Sequence, residues 1–394
     1  MTVNAAGASD QELVRVLERV DWNFPGATTP QRTVHSCHWF PGNFIPQIPA
    51  YLIQLLSAPG DLVADPFVGS GTTAVEAALL GRAAWVADVN RASIQVTRGK
   101  VAATLSPELH VKLRELLPNL IWEGILRSQA FGRRREGEDS ELRKWCDEDT
   151  LAQLRYVWGL IEGSTGGELR SVLEMIFSDT LFACASVGGA KTSGGKRRRH
   201  HWGWVADNVK PVRPVRRDAI KFFRERVAHT ADVLRRVPPA LAAKVAIRHE
   251  DARSLSLQDS SVDLLLSSPP YVGMIDYALA NRLTYLWHGW DLEEDRDAEI
   301  GARYRRNRRD AVEVYLEAMR TVVGEVSRIL RPGGYCAIVI GASRKFPDAV
   351  RQVVGIFSAS LEPVWGPQGR VPTRRRVSER RGTEPREWLC IFRK

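Results

Sequence analysis

Two short segments of this 394-residue sequence combine residue types that can hold a ligand and carry out chemistry. The first, Asp65 to Thr73, follows the apolar run Leu62 to Ala64 and contains glycines where a strand would turn into a helix. Open α/β sheets bind ligands at the carboxyl ends of their strands, and glycines let backbone amides approach a ligand at a helix N-terminus. The segment is therefore a candidate site for a nucleotide-like ligand.

Asp88 follows the next apolar run, Ala83 to Ala87. An acidic side chain at the end of a second strand can accept hydrogen bonds from ribose hydroxyls, as in dinucleotide-binding folds. A helix N-cap or an ordinary turn residue is the alternative role for Asp88 taken alone. A dehydrogenase also fits such a unit, but the GxGxxG spacing is absent after the first strand.

The second segment, Ser268-Pro269-Pro270-Tyr271, comes directly after the apolar run Val262 to Leu266. Two successive prolines fix both φ angles and remove two amide donors, which leaves carbonyl oxygens as the rigid polar groups of the turn. An amino group conjugated to a base ring is a poor nucleophile, so acceptors that hold its hydrogens help to localise the nitrogen lone pair. Tyr271 adds a flat face for a base swung out of the stack. The same four letters also form ordinary turns.

The elements that must position these segments follow an α/β pattern. Ser9 and Glu12 form a capping box ahead of apolar residues at helical spacing, which predicts a short amphipathic helix. A strand at Leu62, a glycine turn, a helix from Thr73 and a strand at Ala83 form a parallel βαβ unit with a right-handed crossover. The pattern resumes later with strands at Val245 to Arg248, Val262 to Leu266 and Tyr335 to Ile340, and a helix at Val312 to Leu330.

Between the two halves, Val101 to Ala243 has a helical pattern with no internal repeat. Candidate helices are Asp149 to Glu162, Glu168 to Cys184 and Val215 to Arg236, the last stopped by two prolines.

Charge indicates a polyanionic partner, since the net charge is +10 and the isoelectric point about 9.6. The basic residues cluster at Lys196 to Arg199, between Arg303 and Arg309, and at Arg374 to Arg381. The first cluster lies in a glycine-rich stretch with Trp202 and Trp204, which is typical of a loop that contacts a polyanion. A solvated basic face is the alternative for each cluster.

The remaining composition favours a globular protein of the cytoplasm. No stretch approaches the roughly 18 uncharged apolar residues of a spanning helix, and the N-terminus lacks a secretory signal pattern. The five cysteines are far apart without a CxxC pair, so we expect reduced, structural cysteines and no metal site.

In combination, the two segments closely resemble motifs of the amino-methyltransferases that act on DNA. Asp65 to Thr73 matches the cofactor motif DPFxGSGTT, and Ser268 to Tyr271 matches the catalytic (S/N/D)PPY motif. The stretch from His35 to Pro46 is similar to the segment that precedes the cofactor motif, and the stretch from Glu250 to Asp263 to the one that leads into SPPY. The resemblance covers about residues 35 to 100 and 245 to 345.

This resemblance implies a Rossmann-like S-adenosylmethionine-dependent methyltransferase fold, a mostly parallel sheet with helices on both faces, plus a largely helical insertion. The implied cofactor is S-adenosyl-L-methionine, held at its methionine end by Asp65, Phe67 and Gly69, at its ribose by Asp88 and at its adenine by Asp251. The full implied cofactor set is Phe40, Asn43, Asp65, Pro66, Phe67, Gly69, Ser70, Gly71, Thr72, Asp88 and Asp251.

The target base would be held by Ser268, Pro269, Pro270 and Tyr271. In this family serine at the first position accompanies mainly the 4-amino group of cytosine, and aspartate or asparagine accompanies adenine. Ser268 therefore favours N4-methylcytosine in double-stranded DNA, with adenine as the alternative. An RNA amino-methyltransferase and a non-catalytic nucleic-acid-binding protein with a vestigial cofactor pocket are the remaining alternatives.

Segment order departs from many relatives with this cofactor motif, in which the catalytic tetrapeptide comes first. We therefore divide the chain into an N-terminal helical segment (1–34), a cofactor-binding half (35–100), a helical insertion (101–243) and a catalytic half with a basic C-terminal segment (244–394). The insertion is the candidate target-recognition region, with a structural cap or a dimerisation region as the alternative. The expected DNA-binding residues are Lys196, Arg197, Arg198, Arg199, Trp202, Arg303, Arg305, Arg306, Arg308 and Arg309.

The family also implies a restriction-modification or epigenetic setting, with a restriction endonuclease or a defence system as the partner.

Overall fold

The computed structural model of this chain describes residues 9–24, 33–42, 44–121, 140–163, 167–185, 205–207, 210, 213–238, 244–341, 345–371 and 387–394. Within these ranges the α-helices are α1 (Asp10–Glu18), α2 (Gln47–Leu56), α3 (Thr72–Leu79), α4 (Arg91–Leu105), α5 (Leu109–Leu116), α6 (Glu148–Glu162), α7 (Gly167–Cys184), α8 (Ala219–Leu234), α9 (Tyr277–Ala280), α10 (Arg282–His288), α11 (Leu292–Ala298), α12 (Ala311–Ile329) and α13 (Ala349–Ser360). The strands are β1 (Leu62–Asp65), β2 (Ala83–Asp88), β3 (Val245–His249), β4 (Val262–Ser267), β5 (Leu330–Gly341), β6 (Glu362–Arg370) and β7 (Glu387–Arg393).

One seven-stranded sheet has the strand order β3-β2-β1-β4-β5-β7-β6. Strands β1 to β5 run parallel, and β7 pairs antiparallel with both β5 and β6. Leu264 and Leu266 of β4 pack with α1 to α4 on one face, whereas Leu265 packs with α12 and α13 on the other. The expected mostly parallel, Rossmann-like sheet with helices on both faces is therefore confirmed.

The order of the strands reverses between β1 and β4. From β1 the chain builds outward through β2 to β3, and then returns to β4 on the other side of β1. A crevice forms at the carboxyl ends of the strands where the winding direction changes, and ligands bind there in open α/β sheets. Asp65 and Ser267, the last residues of β1 and β4, lie at this point.

The start of α1 has the capping box expected from its sequence. The Ser9 hydroxyl accepts from the Glu12 amide at 3.4 Å, and the Glu12 carboxylate accepts from the Ser9 amide at 3.0 Å. The observed ranges of α6 and α7 agree with the expected ranges to within one residue. Helix α8 begins four residues later than Val215, because the Asp218 side chain caps the Lys221 amide at 2.9 Å.

Strand β5 begins at Leu330, five residues earlier than Tyr335. Leu330 pairs with Val262, and a shift in register follows before Tyr335 pairs with Leu264. The intervening turn includes Gly333 at a φ of +77°, a conformation that glycine adopts readily. A proline and two glycines thus form an irregularity inside the strand.

Helices α5 to α8 pack with one face of α4 around a second apolar core. A Cβ atom on Gly99 of α4 would lie 2.4 Å from the Met175 Cβ of α7, so this glycine allows the two helices to approach closely. The boundary that we placed after residue 100 falls inside α4, which therefore belongs both to the sheet and to the helical layer.

Among the residues described, no helix is both long and apolar enough to cross a membrane.

Candidate active site

A cleft opens at the carboxyl ends of β1, β2 and β4. Its open space, including the solvent at its mouth, is about 840 Å³. The predicted site residues that line it are Phe40, Asp65, Pro66, Phe67, Gly69, Ser70, Thr72, Asp88, Asp251, Ser268 and Pro270. The cofactor motif and part of the catalytic tetrapeptide thus meet in one site. The hydrogen bond between Asp65 and Ser267, which precedes the tetrapeptide, joins residues 202 positions apart in the sequence.

Three of the predicted residues in the described part of the chain do not line the cleft: Gly71, Pro269 and Tyr271. The predicted residue Asn43 lies outside the described residues. Gly71 has a structural role instead. It has a φ of +84°, and a Cβ there would lie 3.2 Å from the Cα of Thr97. The glycine therefore permits both the left-handed turn before α3 and the close contact with α4.

Asp65 is buried at the base of the cleft, with 2% of its surface exposed. Its Oδ1 accepts hydrogen bonds from the Ser267 hydroxyl at 2.6 Å and from the Phe67 amide at 3.0 Å. Burial raises the pKa of Asp65 to about 6, against the opposing effect of these donors. The bond from Ser267 connects the cofactor segment directly to the strand that carries SPPY.

Asp88 accepts from two backbone amides, those of Gly69 and Asn90, each at 2.9 Å. Burial raises the pKa of Asp88 to about 6. Asn90 caps α4 through its oxygen, whereas its side-chain nitrogen is buried and has no partner within the described residues. Sequence analysis missed Asn90, although its position as the cap after Asp88 was a usable signal. A buried donor in the cleft wall next to two acceptors suits a polyhydroxylated ligand.

We expect Asp88→Ala to weaken S-adenosylmethionine binding about 10- to 100-fold, because it removes a charged acceptor and frees the Gly69 amide. Isothermal titration calorimetry of the variant measures this. Asp291→Ala is the matched control, since the Asp291 carboxylate also accepts from two backbone amides, those of Glu293 and Glu294, outside the cleft. Normal affinity in the Asp88 variant would remove Asp88 from the site.

The opposite wall contains two residues that sequence analysis did not assign, Tyr277 and Glu299. The Tyr277 ring lies nearly parallel to that of Phe40, with centroids 6.3 Å apart. Glu299 is 6% exposed and accepts from the amides of Tyr277 at 3.1 Å and Ala278 at 2.5 Å. Burial raises the pKa of Glu299 to about 8. Because no motif surrounds Glu299, only the fold could reveal it.

Asp251 lies at the edge of the cleft and is paired with a neighbour. Its carboxylate binds the Arg253 guanidinium through contacts of 2.5 to 3.1 Å. The Arg253 amide also donates to it at 2.8 Å. A carboxylate has about four acceptor positions, and these contacts use all of them, so Asp251 must give up a contact with Arg253 to accept from an amino group in the cleft.

The SPPY turn is fixed by side chains from neighbouring elements. The Ser268 hydroxyl donates to the Val339 carbonyl at 3.1 Å, and the Tyr315 hydroxyl donates to the Pro270 carbonyl at 3.1 Å. The Tyr271 hydroxyl lies 3.3 Å from that of Ser268. Gly341 lies against the Tyr271 ring, and a Cβ there would be 2.1 Å from a ring carbon.

The predicted DNA-contacting arginines fall into two groups. Arg303 pairs with Asp207 at 3.0 Å, and Arg305 pairs with Asp297 at 3.2 Å. Arg306, Arg308 and Arg309 have no acidic partner within the described residues. The other predicted DNA-binding residues and the C-terminal basic cluster lie outside the described residues. They are Lys196, Arg197, Arg198, Arg199 and Trp202, and the cluster from Arg374 to Arg381.

The cleft fits S-adenosylmethionine, which supplies an electrophilic methyl group on a positively charged sulfonium. Carboxyl groups of Asp65, Asp88 and Glu299 face the cleft, and the unpaired Asn90 amide lies beside them. Acidic acceptors suit a cationic ligand with an ammonium group and ribose hydroxyls. In the described part of the chain no group of three His, Cys, Asp or Glu side chains is placed to hold a metal ion.

Comparison with known proteins gives one family and one curated relative of note. The N6_N4_Mtase model, described as DNA methylase, matches residues 12–98. The Type II methyltransferase M.MjaII of Methanocaldococcus jannaschii is 20% identical over 421 aligned residues, which cover 86% of this chain and 78% of that protein.

The similar solved structures named here have low TM-scores against this chain. A SAM-dependent methyltransferase from Methanosarcina mazei has a TM-score of 0.30 and 11% identity, covering 86% of this chain and 94% of that one. An rRNA methyltransferase from Streptomyces viridochromogenes has a TM-score of 0.35 and 14% identity, covering 96% and 94%. These scores carry no argument about substrate. The family match over residues 12–98 and the similarity to the curated relative both support the DNA amino-methyltransferase family, the N6 and N4 enzymes taken together, whose members use S-adenosylmethionine.

Proposed function

We propose that this protein transfers a methyl group from S-adenosylmethionine to the 4-amino group of cytosine in double-stranded DNA, with the target base flipped out of the helix. One observation carries the proposal: the SPPY turn and the cofactor segment line a single cleft at neighbouring strand ends. Serine at the first position of the tetrapeptide supports cytosine over adenine.

Ser268 is arranged to act as an acceptor for the target amino group. Its hydroxyl hydrogen is directed to the Val339 carbonyl, so the lone pairs of Oγ stay available. The two prolines remove competing amide donors from the turn. An amino hydrogen held on Ser268 helps to localise the nitrogen lone pair, which must point at the methyl carbon.

Charge supports DNA as the substrate and the insertion as the region that recognises it. Val205 and Ala206 are buried, and Ala206 packs against Leu279 and Ala280 of α9, beside the cleft. Asp207 is paired with Arg303. Val205, which directly follows the basic segment 196–204 in the sequence, is therefore fixed near the cleft, and this supports the proposal that the segment contacts DNA.

Neutralising Lys196 to Arg199 with four glutamines should weaken DNA binding and flatten its salt dependence, since each lost phosphate contact lowers the slope of log K against log salt by about 0.9. Fluorescence anisotropy with a labelled duplex, at salt concentrations from roughly 50 to 200 mM, measures the affinity and its salt dependence. Cofactor affinity should not change. An unchanged slope would assign the cluster to a solvated face.

We also propose a restriction-modification or related defence or epigenetic setting, with a cognate restriction endonuclease or defence-system protein as partner. The designation of the M. jannaschii relative as a Type II methyltransferase supports this setting.

Mass spectrometry of nucleosides tests the chemistry directly. Mixed-sequence duplex DNA is incubated with the protein and methyl-labelled S-adenosylmethionine and then digested. Labelled N4-methylcytosine supports the proposal, and labelled N6-methyladenine overturns the assignment made from Ser268. Label in RNA alone would overturn the choice of DNA. Cofactor binding without label in either nucleic acid would favour the vestigial alternative.

A further inference from the structure

A second cavity lies directly behind the SPPY turn, separated from the cleft by the loop at Glu299 and Ile300. Both residues face the two spaces. The open space of this cavity is about 470 Å³. Its walls are Arg253, Val272, Gly273, Glu299, Ile300, Gly301, Ala302, Arg305, Arg306, Arg308, Asp310, Ala311, Val314, Tyr315 and Ala318.

The cavity wall is joined rigidly to the catalytic turn. The Gly273 amide donates to the Gly301 carbonyl at 2.8 Å, and Tyr315 holds the Pro270 carbonyl. Gly301 has a φ of +67°, and a Cβ there would lie 2.9 Å from the Tyr315 ring. A ligand in this cavity is therefore held at a fixed position relative to SPPY.

Positive charge in the cavity is only partly neutralised. Arg253 and Arg305 are paired with Asp251 and Asp297, outside the cavity wall. Arg306 and Arg308 have no acidic partner in the described part of the chain. Nearby, the Lys345 ammonium donates to the Arg306 carbonyl at 2.5 Å and to the Asn307 side chain at 2.7 Å.

Two acids, Glu299 and Asp310, lie in the wall. Glu299 accepts from the backbone amides of Tyr277 and Ala278, so Asp310 alone is left to offset Arg306 and Arg308. The rest of the surface is apolar, formed by side chains such as Val272, Ile300 and Ala311. Val314 is 49% exposed at the rim, which is unusual for a large aliphatic side chain of an amphipathic helix. Unpaired guanidinium groups beside an apolar surface suit a ligand with a phosphate and a less polar ring.

We infer that this cavity binds the nucleotide that neighbours the target on the same DNA strand, with its phosphate at Arg306 and Arg308 and its sugar over Val314. This inference rests on the proposed function. The inference assigns Arg303 and Arg305 to ion pairs within the protein. These two of the five clustered arginines then stabilise the loop and do not contact DNA. A nucleotide fixed here would hold the strand in register while the adjacent base enters the cleft.

The first test compares two neighbouring arginines. Arg308→Ala should lower the slope of log K against log salt by about 0.9 and weaken duplex binding roughly 5- to 10-fold. Arg309→Ala is the matched control. Arg309 is also exposed, and the sequence grouped it with the DNA-binding residues, but it does not line the cavity, so we expect a smaller effect from its loss. Equal effects of the two variants would overturn the cavity in favour of a diffuse basic face.

The second test places a cross-linker in the cavity. All five native cysteines are buried, so a Val314→Cys variant carries a single accessible thiol. Coupled to a short photoreactive maleimide, this variant should cross-link a labelled duplex. Ser360→Cys, at the exposed end of α13, should not. Equal yields from both variants, or none from Val314→Cys, would overturn the inference.

Both measurements are made beside the wild-type methylation assay, which separates the two proposals. If the wild type methylates DNA while Arg308→Ala has an unchanged slope and Val314→Cys gives no cross-link, only the cavity assignment fails. If the wild type neither binds nor methylates DNA, the proposed function fails and the cavity assignment fails with it.

Discussion

Asp65→Asn should weaken S-adenosylmethionine binding about 100-fold and at the same time make the protein more stable at neutral pH. The substitution keeps an oxygen in place to accept from Ser267 and Phe67 but removes the negative charge. A charged acceptor contributes up to about 3 kcal/mol to binding a cationic ligand, which corresponds to roughly 100-fold in affinity. Titration calorimetry measures the loss.

The gain in stability follows from the pKa of Asp65, which burial raises to about 6 in the folded protein from its ordinary value of 3.8. The folded state then binds more protons than the unfolded state between these two values. Wild-type stability therefore falls as the pH rises from about 4 to 6, and the full loss, on the order of 3 kcal/mol, is present above pH 6.

Asparagine does not titrate. The variant's free energy of unfolding should therefore exceed that of the wild type only slightly at pH 4 and by the full amount at pH 7.5. Differential scanning calorimetry of both proteins at the two pH values checks this. The Asp65 charge also contributes to raising the pKa of Asp88, so its removal lowers that pKa and adds to the gain in stability at pH 7.5. A variant that is less stable than the wild type at pH 7.5 would contradict the buried-charge argument.

Tyr271→Ala should reduce methyl transfer about 10- to 100-fold while cofactor affinity stays within twofold, since stacking of a base on an aromatic ring contributes about 1 to 3 kcal/mol. The ring does not line the cofactor cleft. Tyr271→Phe is the control. It keeps the ring and loses only the hydroxyl near Ser268, so it should keep most of the activity.

Gly341→Ala tests the same ring without changing it. The added Cβ would lie 2.1 Å from a Tyr271 ring carbon and must displace it. We expect a comparable loss of methyl transfer with cofactor binding retained, whereas Gly355→Ala, where nothing lies within 4 Å, should have no effect. Large losses of cofactor affinity in the Tyr271 variants would contradict the separation between the base-binding and cofactor-binding residues.

Local sequence signals predicted the sheet and the two motif-bearing turns because those signals act over a few residues. The capping box at Ser9, the glycine turn after Asp65 and the apolar run before Ser268 each correspond to the element expected from it. The division of roles between individual site residues remains a prediction.

Contacts between distant segments could not be predicted in the same way. Glu299 reaches the cleft only because it accepts the amides at the start of α9, and nothing around it in the sequence indicates this. The arginines from 303 to 309 form one cluster by composition. Their division into paired and unpaired cations depends on Asp207 and Asp297, which occupy other elements.

The position of the helical insertion has a consequence for how such enzymes diversify. Helix α4 runs back across the sheet after β2, so its end at Leu105 lies at the edge where β3 begins, and β3 pairs directly with β2. The segment between Leu105 and Val245 thus enters and leaves at one edge of the sheet. On the proposed role of the insertion in target recognition, recombination could exchange this segment as a unit and give chimaeric proteins that keep the same cleft and recognise new sequences.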